Sequence, residues 1–261
     1  LSEKIRKSKE EVKIALVGKY TGLDDAYLSV IESLKIACFH HERKLKLIWI
    51  NSEKLQEKDE KSWATLRDAD GILVPGGFGT RGIEGKIGAA RYARENKIPY
   101  LGLCLGMQIM TIEFARHVLK DPDLTSEEFD EEGRLATEKY VIHFLPNQSW
   151  QKEKGGTLRL GLYPCKITAG TKTREAYRTS DIEERHRHRY EVNNDFRHRL
   201  EERGWVGSGV YQKGNLVEIA EIKDHPFMVG SQFHPEFLSR PNKPHPLFFA
   251  FIGAAVKKTD R

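Results

Sequence analysis

Cysteine is scarce in this chain. Cys38, Cys104 and Cys165 are an odd number without C-x-x-C spacing, which argues against a disulfide framework and against a thiolate zinc site. Long apolar runs are missing too. The longest candidate, residues 247–256, falls short of the roughly 18 residues that a membrane helix requires, and no signal-peptide pattern opens the chain. Nor does charge gather in blocks: 43 basic and 38 acidic residues, a formal +5, are spread along the sequence, so a nucleic-acid partner is a poor match. A reducing, cytoplasmic setting fits this composition. The chain starts at Leu1 rather than Met, and residues 1–11 read as a linker remnant of something longer. Residues 12–261 are enough for one large domain with a full core.

What is present is organised around Tyr100-Leu-Gly-Leu-Cys-Leu-Gly-Met-Gln108. A short apolar strand runs into Cys104 and then into a helical pattern. Gly102 and Gly106, two before and two after the cysteine, permit a sharp strand-to-helix turn of the nucleophile-elbow type. The start of the following helix favours thiolate over thiol, and the Leu105 N–H faces any oxyanion formed nearby. A lone cysteine is more often a small buried hydrophobe; its glycines, and a His and a Glu far downstream, favour chemistry here.

Around that turn the apolar pattern alternates strand and helix. Residues 12–17 form a strand closed by Gly18, 26–39 a helix with one apolar face, and 45–50 the next strand, which is a right-handed βαβ unit with parallel strands. The strand at 71–74 leads into Pro75-Gly-Gly-Phe-Gly-Thr-Arg-Gly82. Backbone N–H groups in so glycine-rich a loop can approach a ligand, but the Walker spacing and its Lys-Ser/Thr ending are absent, so an oxyanion-hole loop using Gly77 fits better than a phosphate loop. Residues 83–95 read as a helix with a basic outer face, 120–139 as an acidic, turn-rich surface segment, and 155–161 as a bend into a strand that alternates to 167. Two strands, 216–222 and 227–233, form an antiparallel hairpin, and an amphipathic helix follows at 247–258. The fold class expected is α/β, with a mostly parallel central sheet flanked by helices on both faces.

Two further stretches carry chemistry. The hairpin delivers His234-Pro-Glu236; in an extended segment residues i and i+2 share a face, and Pro235 keeps His234 out of the helical region, so a base and its orienting carboxylate can project together. Residues 184–194 contain Arg185-His-Arg-His-Arg-Tyr190. Extended, this string places Arg185, Arg187 and Arg189 on one side and His186, His188 and Tyr190 on the other. The alternatives are a solvated charged surface, a nucleic-acid patch, or a His-x-His metal pair; for the last, no adjacent spacing supplies the remaining ligands, so no metal is expected.

With these residues in view, the chain resembles the class I, triad-type glutamine amidotransferases, through Pro75-Gly-Gly-Phe-Gly79, Gly102-Leu-Cys-Leu-Gly-Met-Gln108 and His234-Pro-Glu236. More narrowly it resembles the glutaminase domains of the CTP synthase family, through the 185–194 string, 155–161 and 232–241. The resemblance implies a flavodoxin-like architecture, with Cys104 as nucleophile, His234 as general base and acid, and Glu236 orienting the imidazole. It also implies an oxyanion hole from Gly77 and Leu105, and glutamine binding by those two with Gln108, Glu128 and Arg189, a guanidinium suiting the α-carboxylate and a carboxylate the α-ammonium. No cofactor is implied in this domain. ATP, magnesium and UTP would belong to a synthetase domain outside these residues, which would receive the ammonia and make CTP. GTP would be an allosteric activator, near basic residues such as Arg81, and the full-length enzyme a homo-tetramer without nucleic-acid or membrane partners. Other users of the same elbow, a different amidotransferase glutaminase or a γ-glutamyl peptidase, are the alternatives.

Overall fold

The computed structural model describes residues 1–19, 24–130, 132–145 and 158–259. A short helix, α1 (Ser2–Lys7), precedes strand β1 (Glu11–Gly18). Helix α2 (Leu28–His40) leads to β2 (Lys44–Asn51), and α3 (Ser52–Gln56) and α4 (Glu60–Arg67) lead to β3 (Gly71–Val74). Helix α5 (Ile83–Glu95), strand β4 (Tyr100–Leu103) and helix α6 (Leu105–Leu119) follow, then two short strands, β5 (Thr125–Ser126) and β6 (Tyr140–Phe144). The chain continues through β7 (Arg159–Ile167), α7 (Lys172–Tyr177), β8 (Asp181–His188), β9 (Tyr190–Val192) and α8 (Asn194–Glu201). It ends with β10 (Trp205–Tyr211), β11 (Leu216–Ile222), β12 (Met228–Ser231) and α9 (Pro246–Thr259). The bend expected at 155–157 lies outside the described residues.

Nine strands form one sheet in the order β2-β1-β3-β4-β12-β11-β10-β7-β8. From β2 to β12 every pairing is parallel, and from β12 to β8 every pairing is antiparallel. The parallel expectation therefore describes the half that carries the elbow, while the 216–222 hairpin extends it into an antiparallel wing. Period-two alternation sorts the apolar residues of the strands to two layers. Ala15, Val17, Ile72, Val74 and Tyr100 join a core with α5 and α6; Ile14, Leu16, Leu73, Leu101 and Leu103 join a second core with α2 and α9. Each fully buried Leu or Phe contributes about 1.5–3 kcal/mol, so both helical layers are held by the strands' own alternation.

Helix α6 is buried on every side from Leu105 to Ala115. One side packs on the sheet, and the small sheet β5-β6-β9 covers another. Its buried Glu113 is tolerated because Arg94 of α5 clamps both carboxylate oxygens at 2.8 Å. Among the described residues no helix is long and apolar enough to cross a membrane.

Candidate active site

Cys104 joins β4 to α6 with φ 49° and ψ −102°, a conformation that an L-residue adopts at a cost of about 1–3 kcal/mol. The surroundings enforce it. The Cys104 N–H donates to Ser231 O at 2.7 Å, tying the turn to β12, and Cys104 O accepts the Met107 and Gln108 N–H groups of the first helical turn. The two glycines leave no room for anything larger: a Cβ on Gly102 would lie 2.5 Å from Gly106 C and O, and one on Gly106 would lie 2.1 Å from Val74 O. The expected elbow is present, at the C-terminal edge of the parallel strands, where α/β sheets place their ligand crevices. Leu105 is the first residue of α6, so its N–H has no intrahelical acceptor.

His234 and Glu236 meet as expected, but by a different route. Pro235–Phe237 is a 3-10 turn rather than extended chain, and within it His234 Nδ1 and Glu236 Oε1 are 2.8 Å apart. Burial on its own would lower the His234 pKa; hydrogen bonds to Cys104 and Glu236, and their charges, override it and raise it to about 10. The imidazole therefore holds its proton at neutral pH and faces the sulfur. Gly77, Cys104, His234 and Glu236 line one cavity of about 280 Å³, whose mouth carries the exposed rings of Phe78 and Phe237. Gly77 lies against the first turn of α6, where a Cβ would sit 3.5 Å from Leu105 Cδ2.

Gln108, Glu128 and Arg189 lie beside this cavity rather than in its lining. Gln108 is buried, and its Nε2 donates to Gln232 Oε1 at 3.1 Å and to Tyr190 O at 3.4 Å. Glu128, expected on a surface segment, is buried on a one-turn helix capped by Ser126 and accepts the Gly79 N–H at 2.8 Å. Burial raises its pKa above the ordinary carboxylate range, opposed by the Gly79 bond and by the charges of Lys19, Arg189 and Lys86. Arg189, between β8 and β9, is thus close enough to act on Glu128. Lys19, which sequence reasoning missed, donates to Phe78 O and Gly79 O and pins the glycine loop. On α5 the basic outer face includes exposed Arg91, but Lys86 is not part of it: it is 2% exposed, and burial, with Lys19 and Arg81, lowers its pKa to about 7. Exposed Arg81 pairs with Glu53.

The arginine-histidine string alternates as expected, Arg185 and Arg187 outward, His186, His188 and Tyr190 inward. No adjacent spacing in the sequence supplies a third donor to the histidines, but the fold does: donor atoms of His186, His188 and Glu218 of β11 lie within 4.8 Å of one another. The donor set resembles a metal site, but the Arg159 guanidinium bonded to Glu218 opposes a cation there. Hydrogen bonding accounts for much of the cluster, His186 Nδ1 to His188 Nε2 and His188 Nδ1 to Tyr190 O, both at 2.9 Å. Burial holds both imidazoles neutral, His188 with a pKa lowered to about 3.

Known proteins resemble this chain. The class I glutamine amidotransferase family model matches residues 23–254. The chain is 54% identical over 255 residues to a CTP synthase of Carboxydothermus hydrogenoformans, covering 98% of this chain and 46% of that one. It is 51% identical over 261 residues to the CTP synthase of Bacillus subtilis, covering 100% of this chain and 48% of that one. It thus spans about half the length of these curated relatives. Among solved structures it is similar to the glutaminase domain of Trypanosoma brucei CTP synthase with bound acivicin, at TM-score 0.85 and 35% identity, covering 94% of each chain. A strained cysteine elbow, a carboxylate-held histidine and these matches lead to one assignment: the chain belongs to the class I glutamine amidotransferases, among the glutaminase domains of CTP synthases.

Proposed function

We propose that this domain hydrolyses glutamine to glutamate and ammonia through a γ-glutamyl thioester on Cys104. The observation that carries this reading is the strained Cys104 at the start of α6 sharing one cavity with His234, whose Nδ1 lies 2.8 Å from Glu236 Oε1. The thiolate bonds to the γ-carbon, and the Gly77 and Leu105 N–H groups receive the oxyanion, each worth roughly 3 kcal/mol of barrier. As the C–N bond breaks, His234 passes its proton to the departing nitrogen and ammonia leaves. Water then adds to the thioester, giving a proton to His234; the C–S bond breaks, releasing glutamate and restoring the thiolate.

Glutamine's amino-acid end is held by Gln108, Glu128 and Arg189, the Glu128 carboxylate receiving the α-ammonium and the Arg189 guanidinium the α-carboxylate. The expected consequence is a KM effect. Glu128→Ala should raise KM for glutamine about 100-fold with a smaller change in kcat, since the contact is made in ground and transition states alike. Because the Glu128 pKa lies above the usual carboxylate range, KM of the parent should climb with falling pH earlier than an ordinary carboxylate would dictate. Steady-state glutamate release with glutamine varied checks both, and an unchanged KM in the variant would remove Glu128 from the glutamine site.

In the full-length protein, the ammonia would pass to a synthetase domain that uses ATP and magnesium to aminate UTP to CTP, in a cytoplasmic homo-tetramer. GTP would activate the glutaminase step. The support is the similarity to CTP synthases along this chain. CTP formation from glutamine, UTP and ATP by the full-length protein, with and without GTP, tests this part.

A further inference from the structure

Gln232 lies two residues before His234 and one after β12, with no exposed surface. Its backbone is fixed by a 2.8 Å bond from its N–H to Glu218 O, and its side chain spans the space between the elbow and the buried side of α6. Nε2 lies 3.7 Å from Cys104 Sγ, within hydrogen-bond reach of sulfur, and Oε1 accepts from Gln108 Nε2 at 3.1 Å.

The orientation of this amide follows from its neighbours. Tyr190 O can only accept, and it lies 3.4 Å from the Gln108 amide, so Gln108 turns its NH2 that way. That NH2 also faces Gln232, which must answer with its oxygen and leave its own NH2 toward the sulfur. Swapping Gln232 alone would set donor against donor, and swapping both would set the Gln108 oxygen against the Tyr190 carbonyl. A backbone carbonyl of β9, in the small sheet, thus determines what the sulfur meets.

We propose that Gln232 is a positioning residue for the nucleophile, its buried amide donating to the Cys104 sulfur and linking it through Gln108 to the glutamine-recognising side of α6. The inference rests on Cys104 being the glutaminase nucleophile. A neutral donor favours the charged sulfur over the thiol without adding a charge to compete with His234. It serves the thiolate before attack and again when the C–S bond breaks and the sulfur regains its negative charge. The titratable and charged groups that line the cavity with the sulfur are His234, Glu236, Arg187 and Tyr27; His186 and His188 on β8, kept neutral by burial, act on His234.

The test is the pH dependence of Cys104 alkylation by iodoacetamide, followed by mass of the modified peptide, in the parent, Gln232→Leu and Gln232→Glu. Gln232→Leu removes the donor, and Gln232→Glu keeps the acceptor for Gln108 while offering the sulfur only oxygen. In each, the pH of half-maximal rate should rise by about one unit, a tenfold change in the thiolate equilibrium, and kcat for glutamine should fall about tenfold with KM altered less than about twofold. If Gln232→Leu has lost its cooperative melt, the Gln232→Glu profile decides. Profiles that superimpose on the parent's would overturn the inference and reduce Gln232 to packing. Alkylation needs no substrate, so a parent that releases no glutamate would defeat the functional reading while leaving this result to stand or fall separately.

Discussion

Replacing His234 by alanine is expected to lower kcat for glutamine hydrolysis by up to about six orders of magnitude, the scale seen when a triad base is removed. KM should change far less, because the imidazole serves the reacting amide and not the amino-acid end. Two losses combine in that variant: the departing nitrogen has no proton donor, and the thiolate has no facing cation. Glu236→Gln separates them. It keeps a hydrogen-bond acceptor for His234 but removes the carboxylate charge that, with Cys104, raises the imidazole's pKa to about 10 against the lowering effect of burial. A group whose pKa is raised keeps its proton until the pH passes the raised value, so the parent should lose acid catalysis only in the alkaline range. In Glu236→Gln the alkaline limb of the kcat profile should move to lower pH. An unmoved limb would mean that Glu236 does not set the proton affinity of His234.

Gly106→Ala should also lower kcat, and for a different reason. Alanine is a good helix residue, but its Cβ would lie 2.1 Å from Val74 O, a backbone atom of β3 that cannot swing aside. Either α6 or β3 must shift. Overpacking of this kind costs about 1–3 kcal/mol, which for a domain of this size lowers the melting temperature by roughly 2–12 °C. The elbow moves with the helix, and since a misplacement of about 1 Å can cost about 100-fold, kcat should drop by about that factor even in the folded fraction. Melting curves and kcat on the same preparation check this; a variant with the parent's melting temperature and kcat would show that the close approach is not needed.

Much of this was legible in the sequence because it is local. Alternating apolar strands and one-faced helices set out the parallel half, the glycines around Cys104 marked a sharp turn at a candidate nucleophile, and alternation along 185–188 sorted Arg185 and Arg187 outward and the histidines inward, while Arg189, placed with them from the sequence, turns toward Glu128 instead. What escaped depends on contacts between distant segments. Glu128 was marked by the family resemblance alone: it sits among other acidic residues in a turn-rich stretch, and what distinguishes it physically is the approach of Gly79, Lys19 and Arg189. Lys86 reads as a surface lysine until α5 packs beside the glycine loop. Glu218 did carry a signal that went unused: with Glu221 it interrupts an otherwise apolar strand, and both are buried. Glu221 accepts the Lys172 and Thr173 N–H groups at the start of α7, and Glu218 meets Arg159 and His186. A carboxylate within an apolar strand implies a buried partner, though not which one.

The most direct test of the central claim is glutamate release from glutamine by the purified chain beside Cys104→Ala, with glutamate itself measured. The account predicts steady release by the parent and, in the variant, a rate at least about 10⁴-fold lower. Equal release by both proteins would contradict it, since hydrolysis would then proceed without the Cys104 sulfur.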